Sequence, residues 1–191
     1  MSQRRPRVYL AGPEVFLPDA RAIGAEKCRL AGEAGLEGAF PLDAQLDLDR
    51  LPPAEQARRI SQANEGLMRS CDALIANLTP FRGVSMDSGT AFEVGFMQAL
   101  GRPLAGYTNV TPDYSKRVQA FQARGPATMD SDRADLEIED FGLAENLMIE
   151  VAIVSSGCRV VRRAVAAGAE LTDLAAFCEC LADIARVFAR K

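Results

Sequence analysis

Two carboxylates stand six residues apart in the stretch DSGTAFEVG, Asp87 at its start and Glu93 inside it. Acids at the beginning of a helix commonly offset its dipole or cap its free N–H groups, and either use would account for Asp87. Glu93 is harder to place that way. It lies among Ala91, Phe92, Val94 and Phe96, an apolar run in which a carboxylate is costly unless it has a partner or a task. Gly89 and Gly95 bracket it and let a ligand or another backbone segment approach closely. The chain contains no histidine. Ser-His-Asp, Cys-His and His-metal chemistry are thereby excluded, and carboxylates, tyrosine, lysine or cysteine must carry any catalysis. Carboxylates without histidine suit glycosyl transfer. One attacks an anomeric carbon and stabilises an oxocarbenium-like transition state, and the glycosyl-enzyme is then released to water or to another acceptor.

The elements around these acids read as strand, loop, helix and strand. An apolar run over 73–78 breaks at Thr79-Pro80, and a polar loop with Arg82, Gly83 and Ser85 follows. A helix is predicted over 89–100, stopped by Gly101 and Pro103, and then a strand over 103–107. Polar groups gather where the first strand meets the helix, the end at which open α/β sheets bind ligands. Asp72, at the opposite end of that strand, reads as scaffold.

Upstream, the run RVYLA predicts a strand that Gly12-Pro13 stops, with Glu14 and Phe16 in or just past the loop. A helix follows to about residue 34, then a weak strand over 39–42 and an acidic loop with Asp43, Asp47 and Asp49. The next helix covers 54–70 and carries Asn64 among its apolar positions. Downstream, residues 108–139 are charged and poor in apolar clusters, apart from a short helix around 115–122. A segment of this kind is more often a functional flap than filler. A helix carrying Asn146 runs to about 154, a fifth strand covers 158–162, and Thr172 is placed to N-cap a last helix ending near 188. Strands alternating with helices imply a parallel sheet covered on both faces.

At 191 residues the chain is long enough for one domain with a sizeable core. Its net charge of −4 argues against a nucleic-acid polymer as partner, though not against a small ligand in a local pocket. No apolar run approaches the roughly 20 residues of a membrane helix, and no apolar core follows the basic residues of the N-terminus, so neither a membrane span nor a secretory signal is expected. Five scattered cysteines without zinc or redox spacing read as reduced thiols of a cytoplasmic protein. No metal and no cofactor are expected.

Five motifs together carry a resemblance: VYLAGP at 8–13, DALIANL at 72–78, PFRG at 80–83, DSGTAFEVG at 87–95 and FGLAENLM at 141–148. They resemble the nucleoside 2-deoxyribosyltransferase family, in family order, over roughly residues 7–150, and are most similar to the branch with the Pro-Phe-Arg-Gly loop. The resemblance implies one flavodoxin-like α/β domain over 1–191, a three-layer sandwich on a five-stranded parallel sheet. It implies an enzyme that moves a 2-deoxyribosyl group between nucleobases by double displacement. Glu93 would be the nucleophile on C1′, Asp87 would hold the sugar hydroxyls and the nucleophile, and Tyr9 would orient Glu93. Gly12 and the loop after the first strand, with Glu14 and Phe16, would shape the base pocket, near Arg82 and Gly89. Asn146 would reach into a neighbouring subunit's site and bind the 5′ end of the sugar, which requires a homodimer or larger assembly.

The chain departs from the family pattern at Asn64, where many members carry the aspartate that handles the leaving base. An amide can hydrogen-bond a base but cannot protonate it, so Asp43, Glu14 or a water would have to serve as acid. Related 5′-phosphate N-hydrolases carry a different first loop, and Glu14 would repel a phosphate there, which favours an unphosphorylated deoxynucleoside. The other readings are an N-glycosidase that uses water as acceptor and a nucleotide-binding module without turnover.

Overall fold

A computed structural model describes residues 4–43, 47–124 and 136–190, leaving out the side chain of Asp43. Five strands, β1 (Arg7–Ala11), β2 (Glu37–Ala39), β3 (Ala73–Asn77), β4 (Leu104–Thr108) and β5 (Val160–Arg162), form one sheet in the order β2-β1-β3-β4-β5. Every pairing is parallel. All five residues of β3 and of β4 are buried, so these strands are continuous apolar runs rather than alternating ones, as a sheet covered on both faces requires. The order is the flavodoxin-like one, and its switch point lies between β1 and β3, whose connections leave in opposite directions.

Six helices cover the sheet: α1 (Ala20–Glu33), α2 (Pro53–Arg69), α3 (Ser88–Ala99), α4 (Tyr114–Gln122), α5 (Leu147–Ser155) and α6 (Ala175–Ala189). Alternation along the strands divides the core in two. Val8, Leu10, Ile75, Ala105 and Tyr107 face α1 and α6, where Ala31, Phe177, Leu181 and Ile184 close the layer. Tyr9, Ala11, Leu74, Ala76 and Leu104 face the other way, against Met68 of α2, Val94 and Met97 of α3, and Ile153 of α5. The fit of α5 on β4 is close. A Cβ on Gly106 would stand 2.7 Å from Ile153 Cδ1, so any larger residue there would push the Ile153 side chain aside.

Three local expectations are corrected. The second strand comes earlier than 39–42, because Gly35, in the left-handed region at φ 78°, turns the chain sharply after α1. Leu36 N–H then bonds Ala31 O at 2.9 Å, and Glu37 enters the sheet at once opposite Arg7. Residues Pro41–Asp43 form a 3-10 turn instead. The last helix starts at Ala175, not behind Thr172, whose hydroxyl bonds Ala169 O while the Asp173 carboxylate accepts the Ala175 N–H. Asn146 lies at the N-cap of α5 rather than within the helix. Of the segment read as a flap, 114–122 is α4, tied to the chain before α5 by Tyr114 N–H to Leu143 O and the Ser115 hydroxyl to Asp140. Residues 125–135 lie outside the described residues.

Candidate active site

β1 and α3 bring the central pair together. Alternation turns Tyr9 toward α3, and burial of Val94 and Met97 fixes the face of α3 from which Glu93 projects. The Tyr9 hydroxyl donates to Glu93 Oε1 at 2.5 Å. Burial pushes the Glu93 carboxyl up to about 7; the Tyr9 hydrogen bond pulls the other way, and the nearby Asp87 and Glu14 charges add to the rise. Burial beside Glu93 also drives the Tyr9 phenol far above its ordinary range, so it stays a donor at any working pH. The result is a carboxylate that ionises near neutrality and presents one oxygen already held, the poise a nucleophile or a proton acceptor needs.

Asp87 is the N-cap of α3. Its Oδ2 accepts from Thr90 N at 2.9 Å and from the Thr90 hydroxyl at 3.2 Å. The capping role therefore holds, and the same geometry sets the carboxylate near Glu93 so that its charge is felt there. Gly89 makes room for the cap, since a Cβ there would stand 3.0 Å from Asp87 Oδ2. Asp72 is scaffold at the other end of β3, accepting from Arg7 N at 2.8 Å and from Arg4 at 3.0 Å.

Glu14 is not the pocket residue the sequence suggests. Its side chain is fully buried and its Oε1 collects three donors: Lys27 Nζ at 2.7 Å, the Tyr107 hydroxyl at 2.8 Å and Asn77 Nδ2 at 3.1 Å. Burial alone would raise this carboxyl, but the Lys27 charge and the hydrogen bonds from Lys27 and Asn77 together hold the group below the usual carboxylate range. A carboxylate so held has no proton to give at neutral pH, so Glu14 does not serve as the general acid. With its charge matched by Lys27 away from solvent, the expectation that it repels a phosphate also loses its basis. Gly12 sits directly over it, and a Cβ there would fall 1.9 Å from Glu14 Oε2 and 2.9 Å from Asn77 Cβ. Gly12 is thus required by close approach, not by its dihedral angles.

The loops after β1 and β3 meet through aromatic rings. Phe16 stacks on Phe81 with centroids 5.4 Å apart and planes 12° from parallel, and the Arg82 guanidinium lies 4.9 Å and 4.7 Å from the two centroids. Arg82 takes the left-handed region at φ 56° and sets its charge over these rings. Phe16 remains 53% exposed, so this apolar wall faces solvent at the strand ends.

Asn64 is half-buried on α2, which packs against α3, and it has no hydrogen-bond partner among the described residues. The side chain of Asp43 lies outside those residues. No hydrogen bond among the described residues joins Asn146 to Glu93 of its own chain. Its Oδ1 accepts from Met148 N at 3.0 Å as a helix cap, and its Nδ2 donates to Glu139 at 2.9 Å. The residue before it was not singled out from the sequence. Glu145 is buried and accepts from the Ser85 hydroxyl at 2.6 Å, Met86 N at 3.1 Å, Arg117 at 3.0 Å and Asn146 N at 3.1 Å. It pins the loop that delivers Asp87 to the start of α5. Lys27 was missed as well, although it stands in an apolar helix face just as Glu93 does. Among the described residues no group of acids or cysteines gathers as a metal site.

A flavodoxin-like sheet thus gathers two acids and a tyrosine at its switch point, an arrangement chemically able to carry glycosyl transfer. Residues 8–148 match the sequence profile of the nucleoside 2-deoxyribosyltransferase family, and the chain belongs to that family. An uncharacterised protein of Schizosaccharomyces pombe is 34% identical over 166 residues, covering 80% of this chain and 79% of its own. The structure of a 2-deoxyribosyltransferase from Leishmania mexicana is 32% identical, with a TM-score of 0.56 over 75% of this chain and 85% of that one. A conserved protein from Enterococcus faecalis shares the fold, with 19% identity and a TM-score of 0.56 over 93% of this chain and 98% of its own. Among the described residues no helix is long and apolar enough to cross a membrane.

Proposed function

We propose that the protein exchanges the nucleobase of 2-deoxynucleosides by double displacement at Glu93. The observation that carries this reading is the 2.5 Å hydrogen bond from Tyr9 to a Glu93 carboxyl that ionises near pH 7 beside Asp87. Ionised Glu93 attacks C1′, the glycosidic C1′–N bond breaks, and the bonding pair leaves with the base. An incoming base then attacks C1′ and releases the carboxylate, so two inversions give net retention. Tyr9 fixes the resting oxygen so that the other is free to attack. Asp87 orients the sugar and favours the cation-like transition state. The Phe16–Phe81 wall offers an apolar face for the base, and the Asn64 amide a hydrogen bond to its edge. Asn146 of a second copy binds the 5′-hydroxyl.

The test is incubation of deoxyinosine with and without free adenine. New deoxyadenosine marks transfer, whereas deoxyribose alone marks an N-glycosidase that uses water. Glu93→Ala is expected to fold and to lower exchange by about a thousandfold or more. Full exchange in Glu93→Ala would rule the mechanism out, and tight nucleoside binding without turnover over hours would favour a binding module.

A further inference from the structure

We infer that Glu139 determines what is accepted at the 5′ end of the sugar: paired with Asn146, it takes a 5′-hydroxyl and turns away a 5′-phosphate. This rests on Asn146 of a second copy meeting that end of the substrate, as proposed above. The two side chains are bonded to each other. Asn146 Nδ2 donates to Glu139 Oε1 at 2.9 Å, and Glu139 Oε2 accepts the Leu147 N–H at 3.2 Å. Asn146 Oδ1 accepts the Met148 N–H at 3.0 Å. These bonds set the amide one way round, because turning it over would put its oxygen against the carboxylate and its NH2 against a helix N–H.

Capping α5 does not call for this pair, since serine or aspartate at 146 would accept the Met148 N–H as well. The asparagine adds an NH2 group, and Glu139 takes only one of its two hydrogens. A donor and an acceptor therefore stand side by side, 2.9 Å apart, on half-buried side chains. The segment that carries them is tied down by Ser115 at Asp140, by Arg162 at the Gly142 carbonyl and by Arg117 at Glu145. Phe141 and Met148, on either side of Asn146 in the chain, are exposed and leave this end of α5 open to a second copy.

A hydroxyl complements such a pair. Its oxygen accepts the remaining Asn146 N–H, and its proton goes to Glu139. A phosphate dianion has no proton to give and meets the carboxylate as a like charge. The N-terminus of a helix would otherwise favour an anion, but at α5 the Glu139 carboxylate already takes the first N–H. The two arginines bonded to this segment are each paired with a carboxylate, Arg117 with Glu145 and Arg162 with Asp113.

Calorimetry on the Glu93→Ala protein, which should hold nucleosides without consuming them, tests this. The ligands are deoxyinosine, its 5′-monophosphate and 2′,5′-dideoxyinosine, which lacks the 5′-hydroxyl. Each is titrated with Glu139 in place and with Glu139→Gln, which keeps the side chain's size and removes its charge. With Glu139 the monophosphate is expected to bind about a hundredfold or more weaker than deoxyinosine, and loss of the hydroxyl to weaken binding about tenfold. In Glu139→Gln the gap to the monophosphate should narrow about tenfold or more, and loss of the hydroxyl should matter less than about threefold. A residue that only capped α5 would weaken all three ligands alike, so equal ratios in the two proteins overturn the proposal. Monophosphate bound as tightly as deoxyinosine with Glu139 in place overturns it too. That comparison needs no Glu139 variant and stands even if Glu139→Gln does not fold. Asn146→Ala separates the two readings. Unchanged deoxyinosine binding in Asn146→Ala defeats the role of Asn146 and this proposal with it. Weakened binding there, with ratios unmoved in Glu139→Gln, defeats only the assignment to Glu139.

Discussion

Glu93 ionises within the range where rates are ordinarily measured, so single side chains around it translate into shifts of the pH profile. The sign differs from group to group. Tyr9 donates to the ionised form and holds the carboxyl lower than burial alone would place it. Tyr9→Phe removes that donor, so the acid limb of kcat is expected to move to higher pH. At pH 7 less Glu93 is ionised in Tyr9→Phe and exchange falls, with partial recovery at pH 8.5. A profile of exchange rate from pH 5 to pH 9 checks this, and an unmoved limb would show that Tyr9 does not govern the nucleophile. Asp87 joins two functions that sequence reasoning set against each other. The N-cap geometry that holds Thr90 also fixes the acid beside Glu93.

Between elements, the loop before α3 depends on a buried partner sixty residues downstream. Glu145 bonds Ser85 and Met86 on that loop, Arg117 on α4 and the backbone at Asn146. Arg117 also donates to Val84 O at 2.8 Å, which ties α4 to the loop a second time. Glu145→Ala strands the Arg117 guanidinium and two loop donors, and a destabilisation of about 3 kcal/mol is expected. Urea unfolding measures that loss. Hydrogen exchange at the Met86 amide should quicken even under conditions where the variant stays folded. An equally protected Met86 amide would show that the loop is held by other means.

At the scale of the whole molecule, α3 and α5 lie side by side on one face of the sheet and keep large apolar side chains in solvent. Phe92 is 58% exposed on α3, and Met148, Val151 and Val154 are 67%, 51% and 55% exposed on α5. A helix that is apolar all round is ordinarily buried all round. In one chain, α5 buries only the sides that face the sheet and α3. A second copy would cover the rest and would bring the Asn146 end of one α5 toward another subunit. With this face as the contact between copies, Val151→Asp would leave a monomer of 20.6 kDa by sedimentation and lower exchange activity with it. Mixing Glu93→Ala with Asn146→Ala subunits should restore activity above either alone, because one site in the mixed dimer is intact. No recovery on mixing would mean that Asn146 acts within its own chain or only as a cap.

How much was legible depended on the range over which each feature is encoded. Strand and helix order, the buried acid in an apolar run and the exclusion of histidine chemistry are local, and the chain itself determined them. A short apolar run bounded by turn signals fits a covered strand, and a carboxylate in apolar surroundings needs a reason to be there. The start of the second strand and the cap of the last helix were misplaced by a few residues, because Gly35 and Asp173 act through backbone hydrogen bonds that propensity does not show. Partnerships across the fold were decided by tertiary structure alone. Glu14 looked like a loop acid at a pocket, and only the convergence of α1, β3 and β4 on one oxygen shows it as half of a buried ion pair. Glu145 lay within a quoted motif without a role until folding set four donors around it. The sequence determined which groups could do chemistry. Pairing across 84 residues, from Tyr9 to Glu93, decided which of them stand together, because burial and charge act over distances in space that spacing along the chain does not measure.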